Sequence, residues 1–180
     1  MVQKTINGKK LLIAYFSNAG ENYSPDGLVN LEVGNTEQFA RKIQKLVGGD
    51  MFKIETTYAY PVHYKECCEV AFQEYKTKAR PKVAGKVENM SQYDVLFVGY
   101  PIWCHTFPQV VFTFLEQYNL FKKLIIPFCT NEGSEWGESL GDLKNECSQS
   151  VILEGLQLRG MKVKDSDAEI EAWLNGFLGK

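Results

Sequence analysis

The chain has 180 residues, 44% of them hydrophobic and 23% charged. That is the make-up of one ordinary globular domain and excludes a disordered chain. With 20 Lys and Arg against 22 Asp and Glu the formal charge is -2, which marks neither a nucleic-acid surface nor a strongly acidic carrier that docks on basic partners.

No apolar run approaches the roughly 20 residues that span a bilayer. Residues 1–8 lack the apolar core of a leader peptide. The expectation is a single cytoplasmic domain over residues 1–180, with no membrane and no nucleic acid among its partners. Five cysteines, an odd number, are scattered through the chain, which suggests reduced thiols. Two histidines and no Cys-x-x-Cys pair leave no expected metal site.

In chain order, residues 11–16 (Leu-Leu-Ile-Ala-Tyr-Phe) form a nearly continuous apolar run, the signature of a strand covered on both faces. A helix follows: Phe39, Ile43, Leu46 and Val47 share a face, and Asn35-x-x-Gln38 has capping-box spacing. Residues 52–55 alternate and read as an edge strand. Tyr64, Cys67, Cys68, Ala71, Phe72 and Tyr75 give a second helical stripe, which puts both cysteines in the core. Residues 95–100 are a second buried strand. Val110, Val111, Phe114, Leu115 and Tyr118 form the next stripe. Residues 124–129 are a third buried strand, in which Pro127 predicts a bulge or an early end because it cannot donate to a ladder. Leu140, Leu143 and Cys147 form a weaker stripe, and residues 151–153 a second edge strand. Ile170, Trp173, Leu174, Phe177 and Leu178 close the series, after a second capping box at Ser166-x-x-Glu169.

Strictly alternating strands and helices with right-handed crossovers make an α/β fold, a doubly wound five-stranded parallel sheet with helices on both faces. With strands 1, 3 and 4 central and 2 and 5 at the edges, the order is 2-1-3-4-5. Ligands then bind beyond the carboxyl ends of strands 1, 3 and 4.

Three loops occupy those ends. After strand 1, Ser17-Asn18 and then Gly34-Asn35-Thr36 offer hydroxyls and a helix start that favours phosphate, with no Lys or Arg between Ser17 and Glu37. The same residues also read as a plain turn plus a helix cap. After strand 3, Tyr100-Pro101-Ile102-Trp103-Cys104-His105 is stiffened by proline and suits a flat heteroaromatic ligand, or is simply a hydrophobic turn. After strand 4, Thr130-Asn131-Glu132-Gly133-Ser134, with Gly137 beyond it, could wrap the far edge of a ring or be a mobile surface loop. No Walker or Gly-x-Gly-x-x-Gly pattern is present.

Taken together, Tyr15-Phe16-Ser17, Gly34-Asn35-Thr36, Gly99-Tyr100-Pro101-Ile102-Trp103 and Pro127-Phe128-Cys129-Thr130-x-Glu132-Gly133-Ser134 resemble the FMN-binding flavodoxin-like family, nearest its short NAD(P)H oxidoreductases. The resemblance implies a flavodoxin-like fold and a noncovalent FMN. Ser17, Asn18, Gly34, Asn35 and Thr36 would hold the phosphate. Tyr100, Pro101, Ile102, Trp103 and Cys104 would line the isoalloxazine. Thr130, Glu132, Gly133, Ser134 and Gly137 would face its pyrimidine side, with the backbone N–H groups around Gly133 meeting charge there. It further implies NAD(P)H as electron donor and a quinone-like or other small molecule as acceptor. The alternative is a one-electron carrier of the strict flavodoxin type.

One departure is plain. Gly34 stands 17 positions after Ser17, whereas many relatives join these motifs in one compact loop. Residues 21–33 are expected to bulge beside the phosphate or ribityl chain, as a lid or as a contact in a homodimer. His105 is a candidate proton donor over the ring, or else a loop histidine held by backbone.

Overall fold

In the computed structural model, which describes residues 5–179, the chain runs β1 (Leu11–Tyr15), β2 (Gly20–Ser24), β3 (Gly27–Leu31), α1 (Asn35–Val47), β4 (Asp50–Lys53), α2 (Tyr64–Thr77), β5 (Val95–Pro101), α3 (Gln109–Glu116), β6 (Leu124–Asn131), α4 (Ser139–Glu146), β7 (Val151–Ile152), β8 (Leu156–Arg159) and α5 (Asp167–Leu178). Residues 1–4, half of the stretch read as lacking a leader's core, lie outside the described residues. The main sheet has the order β4-β1-β5-β6-β7, and all its pairs are parallel. This is the predicted 2-1-3-4-5 arrangement.

Successive side chains of a strand point to opposite faces, so each central strand feeds two cores. Leu12 and Ala14 join Leu96, Val98, Ile125 and the α3 residues Val110, Val111 and Phe114. Leu11, Ile13 and Tyr15 join Val95, Phe97, Ile126 and the α1 and α5 residues Phe39, Ile43, Ile170 and Leu174. At Gly99 one face of β5 is left open, and the Phe128 ring fills it. A Cβ there would sit 2.1 Å from the ring's Cζ, and the ring is wedged against Phe39, 5.0 Å away between centroids. Gly99→Ala is therefore expected to destabilise the fold by about 1–3 kcal/mol through overpacking, read as a lower urea midpoint.

Several local expectations are corrected. β6 runs through Pro127 without a bulge and holds continuous register with β5 as far as Thr130. The interruption falls on the neighbouring edge instead. β7 pairs with Leu124 and Ile125, β8 pairs with residues 128–131, and the edge strand breaks between them opposite Ile126 and Pro127. Pro127 thus sits where no edge partner asks it for an N–H. At the break, Gly155 crosses so close to the Pro127 carbonyl that a Cβ would lie 2.4 Å from it.

Neither capping box forms. α1 begins one residue beyond the Gly34 N-cap, and Gln38 Nε2 donates to the Val33 carbonyl. Ser166 Oγ donates back to the Lys162 carbonyl. Across the segment expected to bulge out, residues 20–31 form the antiparallel hairpin β2–β3, which stands off the main sheet. Cys67 is buried as predicted, whereas Cys68 is exposed, because the buried face of α2 is narrower than its apolar stripe. Among the described residues no helix is long and apolar enough to cross a membrane, and no cluster of three or more His, Cys, Asp or Glu is arranged to hold a metal ion.

Candidate functional site

Beyond the carboxyl ends of β1, β5 and β6 lies a cavity of about 360 Å³. One side is the start of α1. Its first free donors are the amides of Asn35 and Thr36, since the Glu37 amide donates to Ser17 Oγ (3.0 Å) and the Gln38 amide to the Gly34 carbonyl (3.1 Å). Ser17 is thus the cap of α1, supplied from the preceding strand-end loop. Gly34 is pressed between Ser17 and Asn18, where a Cβ would lie 2.3 Å from Ser17 Oγ and 2.5 Å from the Asn18 carbonyl oxygen. Only glycine allows the chain through there. Thr36 Oγ1 pairs with Thr130 Oγ1 at 2.8 Å, a buried bond that ties α1 to the end of β6.

The second side is the segment after β5. The Ile102 amide donates to the Thr130 carbonyl (2.9 Å). Trp103 and Thr106 exchange backbone bonds at 2.7 and 3.1 Å around Cys104 and His105, both with positive φ (48° and 74°). That is a tight turn with left-handed residues at both centres, a conformation costly for non-glycine residues. It aims Trp103 and Cys104 at the cavity. Burial pushes the Cys104 thiol above its usual range, which keeps it protonated rather than nucleophilic. Phe16, Tyr60 and Trp103 pack mutually edge-on beneath this wall, with centroids 5.1–5.6 Å apart.

The third side is the loop after β6. Asn131 Oδ1 accepts from the amides of Gly133 (2.8 Å) and Glu135 (3.1 Å), and its Nδ2 donates to Gln157 Oε1 (2.7 Å). Glu132 turns into the cavity. Its Oε1 accepts from the Met161 amide at 3.1 Å, and its Oε2 is buried with no partner among the described residues. Burial raises the Glu132 pKa, against the lowering pull of the Met161 amide and Arg159. The raised value means that the folded state binds this proton more tightly than the unfolded one. Its stabilising effect is complete below about pH 4.5 and is lost as pH rises through the folded pKa. Glu132→Gln is expected to flatten the stability profile between pH 4.5 and 7 relative to the parent, read from urea midpoints across that range.

Of the residues picked out in the sequence, Asn18, Asn35, Pro101, Ile102, Trp103, Cys104, Thr130, Glu132 and Ser134 line the cavity. Six others do not. Ser17, Gly34 and Thr36 build the cradle behind it, as above. Tyr100 is fully buried and bonds Ser139 Oγ, so it is a core residue. Gly133 lies outside the lining, and its amide is already taken by Asn131, so it is not the donor expected for a ring edge. Gly137 packs on the Cys104–His105 turn, where a Cβ would meet the His105 carbonyl at 2.1 Å. The His105 side chain is exposed and lies 6.4 Å from the Tyr75 ring, away from the lining. It is anchored through its carbonyl, which accepts from the Glu138 amide at 2.7 Å, and so is not positioned as a proton donor.

The sequence reading missed Gly160 and the α2 residues, and placed residues 21–33 beside the site without saying which of them face it. Gly160, after β8, closes on Asn35 and Glu132, and a Cβ there would lie 2.3 Å from Asn35 Nδ2. The hairpin residues Glu21, Asn22 and Tyr23, with Tyr64, Cys67, Cys68 and Ala71 of α2, extend the lining past the three strand ends.

With this geometry the relationships to known proteins fall into line. The family model for flavodoxin matches residues 10–177. The chain belongs to the flavodoxin family, and its fold is that of an FMN flavoprotein. A candidate flavoprotein from Bacteroides eggerthii is 31% identical, with 96% of this chain and 100% of that one covered and a TM-score of 0.74. A second, from Bacteroides uniformis, is 23% identical over 94% and 99%, with a TM-score of 0.73. A Lactobacillus acidophilus flavoprotein solved in complex with FMN is 16% identical over 88% and 98%, with a TM-score of 0.67. The last two speak for the fold alone. A search of curated proteins returns no match.

Proposed function

We propose that the protein binds FMN in this cavity and acts as an NAD(P)H oxidoreductase that passes electrons to a quinone-like or other small acceptor. The observation that carries the reading is a cavity walled by all three strand-end loops, with unpaired helix amides at one end and an aromatic wall beside them.

The chain's groups suit each part of the cofactor. The phosphate belongs at α1, where the Asn35 and Thr36 amides and the positive end of the helix favour a dianion without a cationic side chain. In the Thr36–Thr130 pair one hydroxyl donates to the other, so the second proton remains available to a phosphate oxygen. Pro101, Ile102, Trp103 and Cys104 would exclude water from one face of the ring system. The unpartnered Oε2 of Glu132 is an acceptor suited to the imide N–H on the pyrimidine side. FMN, when bound, supplies the hydride and electron chemistry.

The formal charge of -2 favours an enzyme over an acidic carrier. Stopped-flow mixing of the FMN-loaded protein with NADH and with NADPH tests this. Direct bleaching of the flavin absorbance at a rate above that of free FMN is expected. Reduction that requires a separate reductase would identify a one-electron carrier instead.

A further inference from the structure

We infer that the hairpin β2–β3 and the start of α2 form a second subsite in the same cavity, shaped for an uncharged aromatic compound of the quinone type. The inference rests on the flavin reading above.

The hairpin is not needed to complete the sheet: it pairs only with itself and stands off the β4-β1-β5-β6-β7 path. It is nevertheless fixed firmly beside the cavity. The Glu21 amide donates to the Val62 carbonyl (3.0 Å), and the Tyr64 amide donates to Glu21 Oε2 (3.0 Å), so Glu21 satisfies a free donor at the N-terminus of α2. Asn22 Nδ2 donates to the Gly20 carbonyl at 3.0 Å. Gly20 itself packs against Val62, with Val62 atoms 3.0 Å from where a Cβ would be.

This anchoring presents two aromatic rings. Tyr23 and Tyr64 lie 6.3 Å apart at 32° to one another, and both line the cavity. Tyr23 is 49% exposed although it borders a cavity, an arrangement that leaves ring surface open to a flat partner. The charge is as selective as the shape. Among the described residues no Lys, Arg or His lines the cavity, while Glu21 and Glu132 both do. Behind the lining, His63 Nδ1 lies 3.3 Å from Glu21 Oε1, but the side chains an anionic ligand would touch away from the amides of α1 are carboxylates and neutral groups. An uncharged ring meets aromatic surface with an amide and phenols at its edge, the mixture that small-molecule sites use.

Equilibrium dialysis of the FMN-loaded protein tests the subsite with 2-(hydroxymethyl)-9,10-anthraquinone and with 9,10-anthraquinone-2-sulfonate. Their blocked ring carbons cannot alkylate the exposed Cys68 thiol. The neutral probe should bind roughly five-fold tighter than the sulfonate. Tyr23→Ser should weaken the neutral probe about five-fold. Leu28→Ser, directly across the hairpin from Tyr23 but outside the lining, should leave it within about two-fold, which separates loss of the ring from damage to the hairpin. FMN affinity, titrated in parallel, should be unchanged in Leu28→Ser, and Tyr23→Ser is dialysed at saturating FMN. Equal binding of the two probes, no effect of Tyr23→Ser, or an equal effect of Leu28→Ser would each overturn the subsite. A parent chain that takes up no FMN would sink the flavin reading instead, and dialysis of the flavin-free chain would still report on the subsite.

Discussion

Gly34→Ala is expected to weaken FMN binding about 100-fold while affecting riboflavin, which lacks the phosphate, much less. The added methyl would stand 2.3 Å from Ser17 Oγ and 2.5 Å from the Asn18 carbonyl oxygen. The second of these is backbone, which cannot rotate aside as a side chain does. The Ser17–Asn18 turn has to move off the start of α1, and two things follow from that movement. Ser17 Oγ leaves the Glu37 amide that it accepts from, and the amides of Asn35 and Thr36 lose their shared orientation. Hydrogen bonds to a charged group contribute about 1.5–3 kcal/mol each. Losing two amounts to roughly 3 kcal/mol or more, and each 1.4 kcal/mol is tenfold in affinity. Gly141→Ala is the companion control. That residue is helical with open space around it, so FMN affinity should hold and stability should rise by about 0.5–1 kcal/mol. Fluorescence titration with both ligands checks the pair. Equal losses for FMN and riboflavin would place the phosphate away from α1.

The centre of this fold is legible in the sequence because strands buried on both faces must be apolar at every position, and residues 11–16, 95–100 and 124–129 are. The loops at their ends follow from topology alone, which is why nine of the chosen residues reach the cavity. The misses have physical causes. Tyr100 is adjacent in sequence to the lining, but a strand alternates its faces, and this side chain points into the core toward Ser139. Gly133 looked like a donor, but the Asn131 side chain takes its amide first, a local competition that a motif does not display. The hairpin carried a readable sign: Pro25-Asp26-Gly27 is turn chemistry set between two short segments. Its flanks are too polar to register as strands, and what holds them in place is Val62 and Tyr64, some forty residues away. Contrary to expectation, Pro127 neither bulges nor ends its own strand; the break lies in the next strand over, at Gly155. Ser17 as the cap of α1 has no sequence signature at all, because it lies outside the helix it caps.

Glu74→Ala is expected to cost about 3 kcal/mol of stability and to loosen the ring wall of the cavity with it. Glu74 is a buried carboxylate on α2. It accepts from the phenols of Tyr58 and Tyr60, the latter at 2.8 Å. Burial, reinforced by Glu74, pushes the Tyr58 phenol up to about 12 and raises Tyr60 well beyond its usual value. Both phenols therefore stay protonated as donors throughout the neutral range. For a group whose folded pKa is raised, the stabilisation is complete below the unfolded value of 10.0 and is lost as pH climbs through about 12. Removing the shared acceptor leaves two phenols without their charged partner, at about 1.5–3 kcal/mol for each such bond, less what the exposed Tyr58 recovers from water. Glu74→Gln should cost about half as much, because the amide keeps one oxygen acceptor and replaces the other with a donor. The effect reaches the site because Tyr60 is the edge-on support of Trp103, 5.2 Å between centroids, and of Phe16 at 5.6 Å. When Tyr60 is no longer held, Trp103 loses one of the two rings that fix it, and FMN affinity should fall together with the urea midpoint. Tyr60→Phe separates the two roles. It keeps the ring against Trp103 while removing the hydroxyl, so stability should drop by about 1.5 kcal/mol with FMN affinity nearly intact. A Tyr60→Phe variant that loses FMN as severely as Glu74→Ala would show that the hydroxyl itself, rather than the packed ring, is what the site depends on.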